Sequence, residues 1–238
     1  MLVASDMLQE PGPETGADVR ARRCVTDMLE GNAVFKNINE TLIAALATVQ
    51  RPKFGTVGCA DSRAPLEKVI GADVGESFTV RLSGNVLDAS SIGTIEYGVG
   101  HLHIQMLVFF GHTGCGEVAA GQATLKKVVS GKIDESEIPE RTALDRLVRR
   151  IYTNIKGNPK NIDSLDNAVM DNSKAEIAKL IKSSDIVGKA LRDGKLTILL
   201  GMYDMRTGAV IDKGELGFVS ARYKDKDGSV EFTGFAVS

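Results

Sequence analysis

The chain has 238 residues, 43% hydrophobic and 25% charged, the balance of a globular protein long enough to bury a core without disulfide or metal staples. A net charge of −2 with no basic stripe excludes nucleic acid as the main partner expected of it. Three cysteines, odd in number and sparse, argue against a secreted disulfide framework and for a reducing, cytoplasmic setting; no stretch approaches the ~18 apolar residues of a spanning helix, and the start lacks the basic and apolar regions of a signal peptide.

Residues 1–18, rich in Pro, Gly and acids, are expected to form a mobile arm, and residues 19–238 a single domain. A helical pattern begins at Ala17, with Val19, Val25, Met28 and Leu29 on one face and Gly31 offering a stop; a second helix is predicted over Asn39–Ala47. Four apolar runs read as strands: Phe54–Gly58, Ser77–Arg81, Ile104–Phe110 and Leu196–Tyr203. The last two are almost continuously apolar, as strands covered on both faces are. Between them lie a short helix around Leu66, Val69 and Ile70 and longer ones over Ala89–Val99, Arg141–Ile155 and Lys174–Leu191. Residues 156–173 read as a surface loop or a helix start. Beyond Asp204, glycines punctuate short alternating segments, which predicts a hairpin or two at a sheet edge. The whole is an α/β pattern: a mostly parallel central sheet of strand order 2-1-3-4, flanked by helices, with an antiparallel C-terminal edge hairpin.

Two strings carry the chemistry, Cys59-Ala60-Asp61-Ser62-Arg63 and His112-Thr113-Gly114-Cys115. Cys59 follows the first predicted strand and the second string the third. In an open parallel sheet of that order, the crevice outside the strands' carboxyl ends brings them together. Two thiolates and one imidazole form a zinc ligand set with one position left; structural zinc takes four protein ligands, whereas catalytic zinc takes three. A helix starting after Cys115 would add its N-terminal dipole, which favours thiolate. Gly111, Gly114 and Gly116 suit a tight turn around the ligands. The Gly-Lys-Ser/Thr ending of a phosphate-binding loop is missing from GHTGCG.

Asp61 and Arg63 flank Ser62, so in an extended turn they point the same way and can pair. Two roles are open to Asp61: a fourth zinc ligand that closes the site, or a carboxylate held off the metal by Arg63 that orients a water. A plain turn cap is the bland reading of the same pair. Cys24 reads as a small hydrophobe of an amphipathic helix, His101 and His103 as surface residues at the amino end of the third strand, and Phe109 and Phe110 as core.

CADSR, then RLSGN, then SIGTIEYGV, then GHTGCG resemble the β-class carbonic anhydrases, from about Glu30 through Gly121 and again, more weakly, at LTILLGMYDMRTGAV. The resemblance implies zinc bound by Cys59, His112 and Cys115. It implies reversible hydration of carbon dioxide to bicarbonate and a proton by a zinc-bound hydroxide, gated by an Asp61–Arg63 dyad. It also implies a homodimer or multiple of dimers with N-terminal helices packed on the neighbouring subunit. Where the family has Arg-Asn-Ala-Gly-Asn, this chain has Arg81-Leu82-Ser83-Gly84-Asn85; it has no Trp, and the segment 129–172 matches nothing in the family pattern. The same fold also houses zinc hydrolases of carbonyl sulfide or carbon disulfide, the alternative substrates. Two further readings are a zinc protein permanently closed by Asp61 and a cysteine hydrolase using Cys115.

Overall fold

The computed structural model describes residues 17–211, 218–223 and 229–235. The chain divides into two compact units, residues 1–49 and 50–238. In the first, one helix, α1 (Ala17–Leu46), replaces the two predicted helices. Gly31 does not stop it: a mid-helix glycine costs only about 1 kcal/mol relative to alanine, and a helix of 30 residues carries that. Apart from Ala17 and Asp18, which open α1, the predicted arm over 1–18 lies outside the described residues. Cys24 is exposed on α1 and not a packed hydrophobe.

The second unit is built on the sheet. β1 (Phe54–Gly58) pairs in parallel with β2 (Ser77–Arg81) and β3 (Met106–His112), and β3 pairs in parallel with β4 (Thr197–Asp204). The order is β2-β1-β3-β4, as predicted, and continues antiparallel through β6 (Phe218–Tyr223) and β7 (Val230–Phe235). A short β5 (Ala209–Ile211) pairs with the last residues of β4, so β5 and β6 share one edge of that strand. β3 sits two residues later than predicted. Its pairing with β4 runs on from Phe110–Gly201 to His112–Tyr203, so Gly111 does not end the strand and His112 becomes its last residue.

Helices cover the sheet: α2 (Leu66–Val69), α3 (Ala89–Gly100), α4 (Gly116–Val129), α5 (Ala143–Ile155), α6 (Lys160–Asp163), α7 (Leu165–Ser183) and α8 (Asp185–Arg192). The stretch 156–173 is mostly helical, split between α6 and the first half of α7. The predicted helix Lys174–Leu191 is broken at Ser184, whose hydroxyl accepts from Val187 N at 3.2 Å and caps α8. One core cluster joins Val57, Phe109 and Ile198 of the sheet to Ile177 and Leu180 of α7; Leu82 packs against it. A second, of Val118, Leu125, Ile151, Ile155 and Val169, binds α4, α5 and α7 together and includes Cys59 and Cys115.

Candidate metal centre

β1 and β3 are sheet neighbours, with Gly58 opposite Phe110, so Cys59, just past β1, and His112, the last residue of β3, lie near each other at the strands' carboxyl ends. Cys115 follows after a turn at Gly114, whose φ of 67° is the left-handed conformation that glycine adopts freely, and takes the N-cap position of α4. The three side chains are buried, and their ligand atoms all lie within 4.8 Å of one another; among the described residues they form the one cluster suited to a metal ion. The predicted ligands Cys59, His112 and Cys115 thus come together. Asp61 is outside that cluster.

Hydrogen bonding sets the imidazole. His112 Nδ1 lies 3.0 Å from the Thr113 carbonyl, which can only accept, so Nδ1 carries the proton and Nε2 is left with its lone pair. Nε2 is buried without a partner. A buried, unpaired acceptor beside two thiols is what a metal ion would satisfy, and an S₂N donor set fits zinc with a fourth position free. Burial pulls the His112 pKa down, but the nearby Cys59 sulfur and the Thr113 carbonyl outweigh this and the net shift is upward. The two thiols divide their protons unequally. The hydrogen bond from Cys115 holds Cys59 well below the ordinary thiol range, and the same bond, with burial, pushes Cys115 up. Cys115 does sit at a helix N-terminus as expected, and the Val118 N–H there pulls its pKa down, but the Cys59 bond and burial outweigh that.

Asp61 and Arg63 pair as predicted. Arg63 N and Nε donate to Asp61 Oδ1 at 2.9 and 3.0 Å, and Nη2 donates to Oδ2 at 2.6 Å. The Arg63 guanidinium holds the Asp61 carboxyl down to about 2. Nη2 also reaches the Gly114 carbonyl at 3.4 Å, tying this loop to the one between His112 and Cys115. His101 stacks on Tyr97, with 5.2 Å between ring centroids, at the end of α3, on the strand's far side as predicted.

Three contributors escaped the sequence reading. Arg81, the last residue of β2, donates to the Cys59 carbonyl at 3.0 Å and the Asp61 carbonyl at 2.7 Å, fixing the loop that carries both. Glu117 Oε2 lies 3.3 Å from Cys115 Sγ and 3.8 Å from Cys59 Sγ. Asp204 accepts from Thr113 Oγ1 at 3.2 Å and is gripped by Arg206. The last had a signal: Asp204-Met205-Arg206 repeats the Asp-x-Arg spacing of Asp61-Ser62-Arg63 at another strand's carboxyl end.

The carbonic anhydrase family profile matches residues 55–210. A carbonic anhydrase of Mycolicibacterium smegmatis is 29% identical over 174 residues, 73% of this chain and 81% of the relative. A carbonic anhydrase of Emericella nidulans is 44% identical over 78 residues, 32% of this chain and 34% of that one. Among solved structures, the β-carbonic anhydrase CafA of Aspergillus fumigatus superposes with a TM-score of 0.62 at 25% identity, covering 81% of this chain and 91% of its own. The β-carbonic anhydrase CcaA shares the fold at a TM-score of 0.67 and 16% identity over 92% and 93% of the two chains. The family match takes in the parallel strands from Gly55 of β1 through β4, both Cys/His strings and the Asp61–Arg63 loop: the chain belongs to the β-carbonic anhydrase family.

Proposed function

We propose that this chain reversibly hydrates carbon dioxide to bicarbonate and a proton, with zinc held by Cys59, His112 and Cys115. The observation that carries the reading is the buried triad with its unpartnered His112 Nε2, beside an aspartate restrained by arginine. Bound there, zinc supplies Lewis acidity that brings the pKa of a water toward ~7, so that hydroxide is available at neutral pH.

The chain's own residues do the rest. A carboxylate offers about four acceptor sites. Arg63 takes two on Oδ1 and one on Oδ2 of Asp61, which leaves one site on Oδ2 to accept a proton of the attacking water and orient it. The same three bonds favour Asp61 standing off the metal over Asp61 closing the site. Arg81 holds the Cys59 and Asp61 carbonyls, so the sulfur and the orienting carboxylate move as one loop. The Thr113 carbonyl keeps the His112 lone pair on Nε2.

α1 fits a subunit-docking role. Met28, Leu29 and Ile38 are 70%, 65% and 74% exposed, large apolar side chains of the sort that a partner subunit covers. The Sordaria macrospora β-carbonic anhydrases, which share this fold at a TM-score of 0.63, are described as tetrameric. No described helix is long and apolar enough to cross a membrane.

Stopped-flow hydration of carbon dioxide by the zinc-loaded protein, at pH ~7 and above pH 8, tests the activity. Turnover above buffer at both pH values is expected. Turnover only at the higher pH would favour a site closed by Asp61. None at either, with hydrogen sulfide released from carbonyl sulfide or carbon disulfide, would replace the substrate.

A further inference from the structure

The buried face of α7 is not wholly apolar. Asn172, Ser173 and Glu176 are fully or almost fully buried on it, among Val169, Ile177 and Leu180. Buried polar groups of this kind are retained at a cost unless they are paired, so their partners are informative. Glu176 accepts from Arg150 Nε at 2.7 Å and Nη2 at 3.0 Å, from Asn154 Nδ2 at 2.8 Å, and from the backbone of Leu87 at 3.0 Å. Asn154 Nδ2 also donates to Asn172 Oδ1 at 2.9 Å, and Asn172 Nδ2 donates to the Gly84 carbonyl at 2.7 Å. At the end of this chain of bonds, Gly84 N donates to Cys59 Sγ at 3.4 Å.

Gly84 is set for that contact from every side. Its φ of 62° places it in the left-handed region, and a Cβ there would lie 3.0 Å from Ile151 Cδ1 and 3.3 Å from Glu117 Cβ. Its neighbour Asn85 is tied to β3 by a 2.9 Å bond from Nδ2 to the Phe110 carbonyl, two residues before His112. Arg150, Asn154 and Asn172 come from the segment 129–172, which lies inside the family match although its motifs matched nothing in the sequence alone.

We propose that Asn172 is a positioning residue for the metal centre: by fixing the Gly84 carbonyl it holds Gly84 N–H on the Cys59 sulfur, and Asn154, Glu176 and Arg150 fix Asn172 in turn. The role rests on Cys59 being a zinc ligand. An N–H bond to a ligating sulfur orients it and withdraws charge from it, and loss of such outer partners commonly costs 10–100-fold in metal affinity or activity.

The test compares wild type, Asn172→Ala and, as a control, Asn161→Ala. Asn161 is equally buried, but its amide bonds run to the Ile155 carbonyl and Asp171. Zinc affinity is read by chelator competition, and the sulfur-to-cobalt charge-transfer band is read after cobalt(II) substitution. Asn172→Ala should weaken zinc about 10-fold or more and move the band to longer wavelength, because the sulfur regains charge. Asn161→Ala should lower thermal stability and leave the band in place. Wild-type affinity and an unmoved band in Asn172→Ala would overturn the role. If Asn172→Ala does not fold, Asn154→Ala stands in, with a smaller shift of the same sign expected and an unmoved band again refuting it. A wild-type protein that binds neither metal through sulfur overturns the metal centre itself, and this role with it.

Discussion

Two Asp-x-Arg pairs stand at the carboxyl ends of sheet strands, and they are built alike. In Asp61–Arg63 the arginine N and Nε donate to Oδ1 at 2.9 and 3.0 Å and Nη2 to Oδ2 at 2.6 Å; in Asp204–Arg206 the same three bonds measure 2.9 Å each. In both, the guanidinium holds the carboxyl down to about 2. What differs is the use of the remaining acceptor capacity. Asp204 spends it inward, on Thr113 Oγ1, whose oxygen in turn accepts from Met205 N at 3.1 Å. That pair locks the loop whose Thr113 carbonyl sets the His112 tautomer. Among the described residues the Asp61 carboxylate has no partner besides Arg63, and it sits two residues from the Cys59 sulfur, so in the proposed reaction its spare lone pair is available to a water. The same local chemistry serves the fold in one place and the proposed reaction in the other, and the neighbours decide which.

The contrast can be broken at several levels. The largest effect is expected from the ligands, because without the metal neither pair has a reaction to serve: Cys59→Ser, His112→Ala and Cys115→Ser should each lose stoichiometric zinc on desalting, read by elemental analysis. Retained zinc in all three would refute the ligand set. Next, Arg63→Ala should keep zinc but cut hydration about 10-fold or more, because Asp61 is no longer held off the metal. Arg206→Ala should leave turnover close to wild type, and equal losses in the two would erase the distinction drawn between the pairs.

The smallest effect concerns pH. An unfolded aspartate titrates near ~3.9, whereas Asp204 in the fold titrates at about 2. A depressed carboxyl stabilises the fold above the unfolded value and loses that contribution as pH falls through the folded one. Urea unfolding of wild type should therefore weaken between pH ~4 and ~2, and Asp204→Asn should show a shallower decline over the same window. Parallel declines would mean that the Arg206 bond contributes nothing to folding.

The fold's frame was legible because its strands are short, apolar and bounded by turn residues, as in Phe54–Gly58 and Thr197–Asp204. The Cys59, His112 and Cys115 cluster was legible because each string holds its chemistry within five residues of a strand end. Helix punctuation was less so: Gly31 is tolerated inside α1, while Ser184, which resembles any helix serine, ends α7 and caps α8. The strand expected to stop at Phe110 is carried on to His112 by its pairing with β4. The supporting residues were hidden for a different reason. Arg81 acts across the sheet on the neighbouring loop, and Asn172 lies 88 positions from the carbonyl it holds. Such contacts are set by tertiary packing and leave no local pattern. Asp204–Arg206 was readable in principle, since its spacing matches the pair that was singled out.

The most direct measurement is stopped-flow hydration of carbon dioxide by two zinc-loaded variants side by side, Asp61→Ala and Asp204→Ala. With zinc content equal in both, turnover should fall about 100-fold in the first, as expected for loss of a group that handles the water's proton, and far less in the second. Equal losses, or the larger loss in Asp204→Ala, would contradict the assignment of the reaction to the Asp61–Arg63 pair.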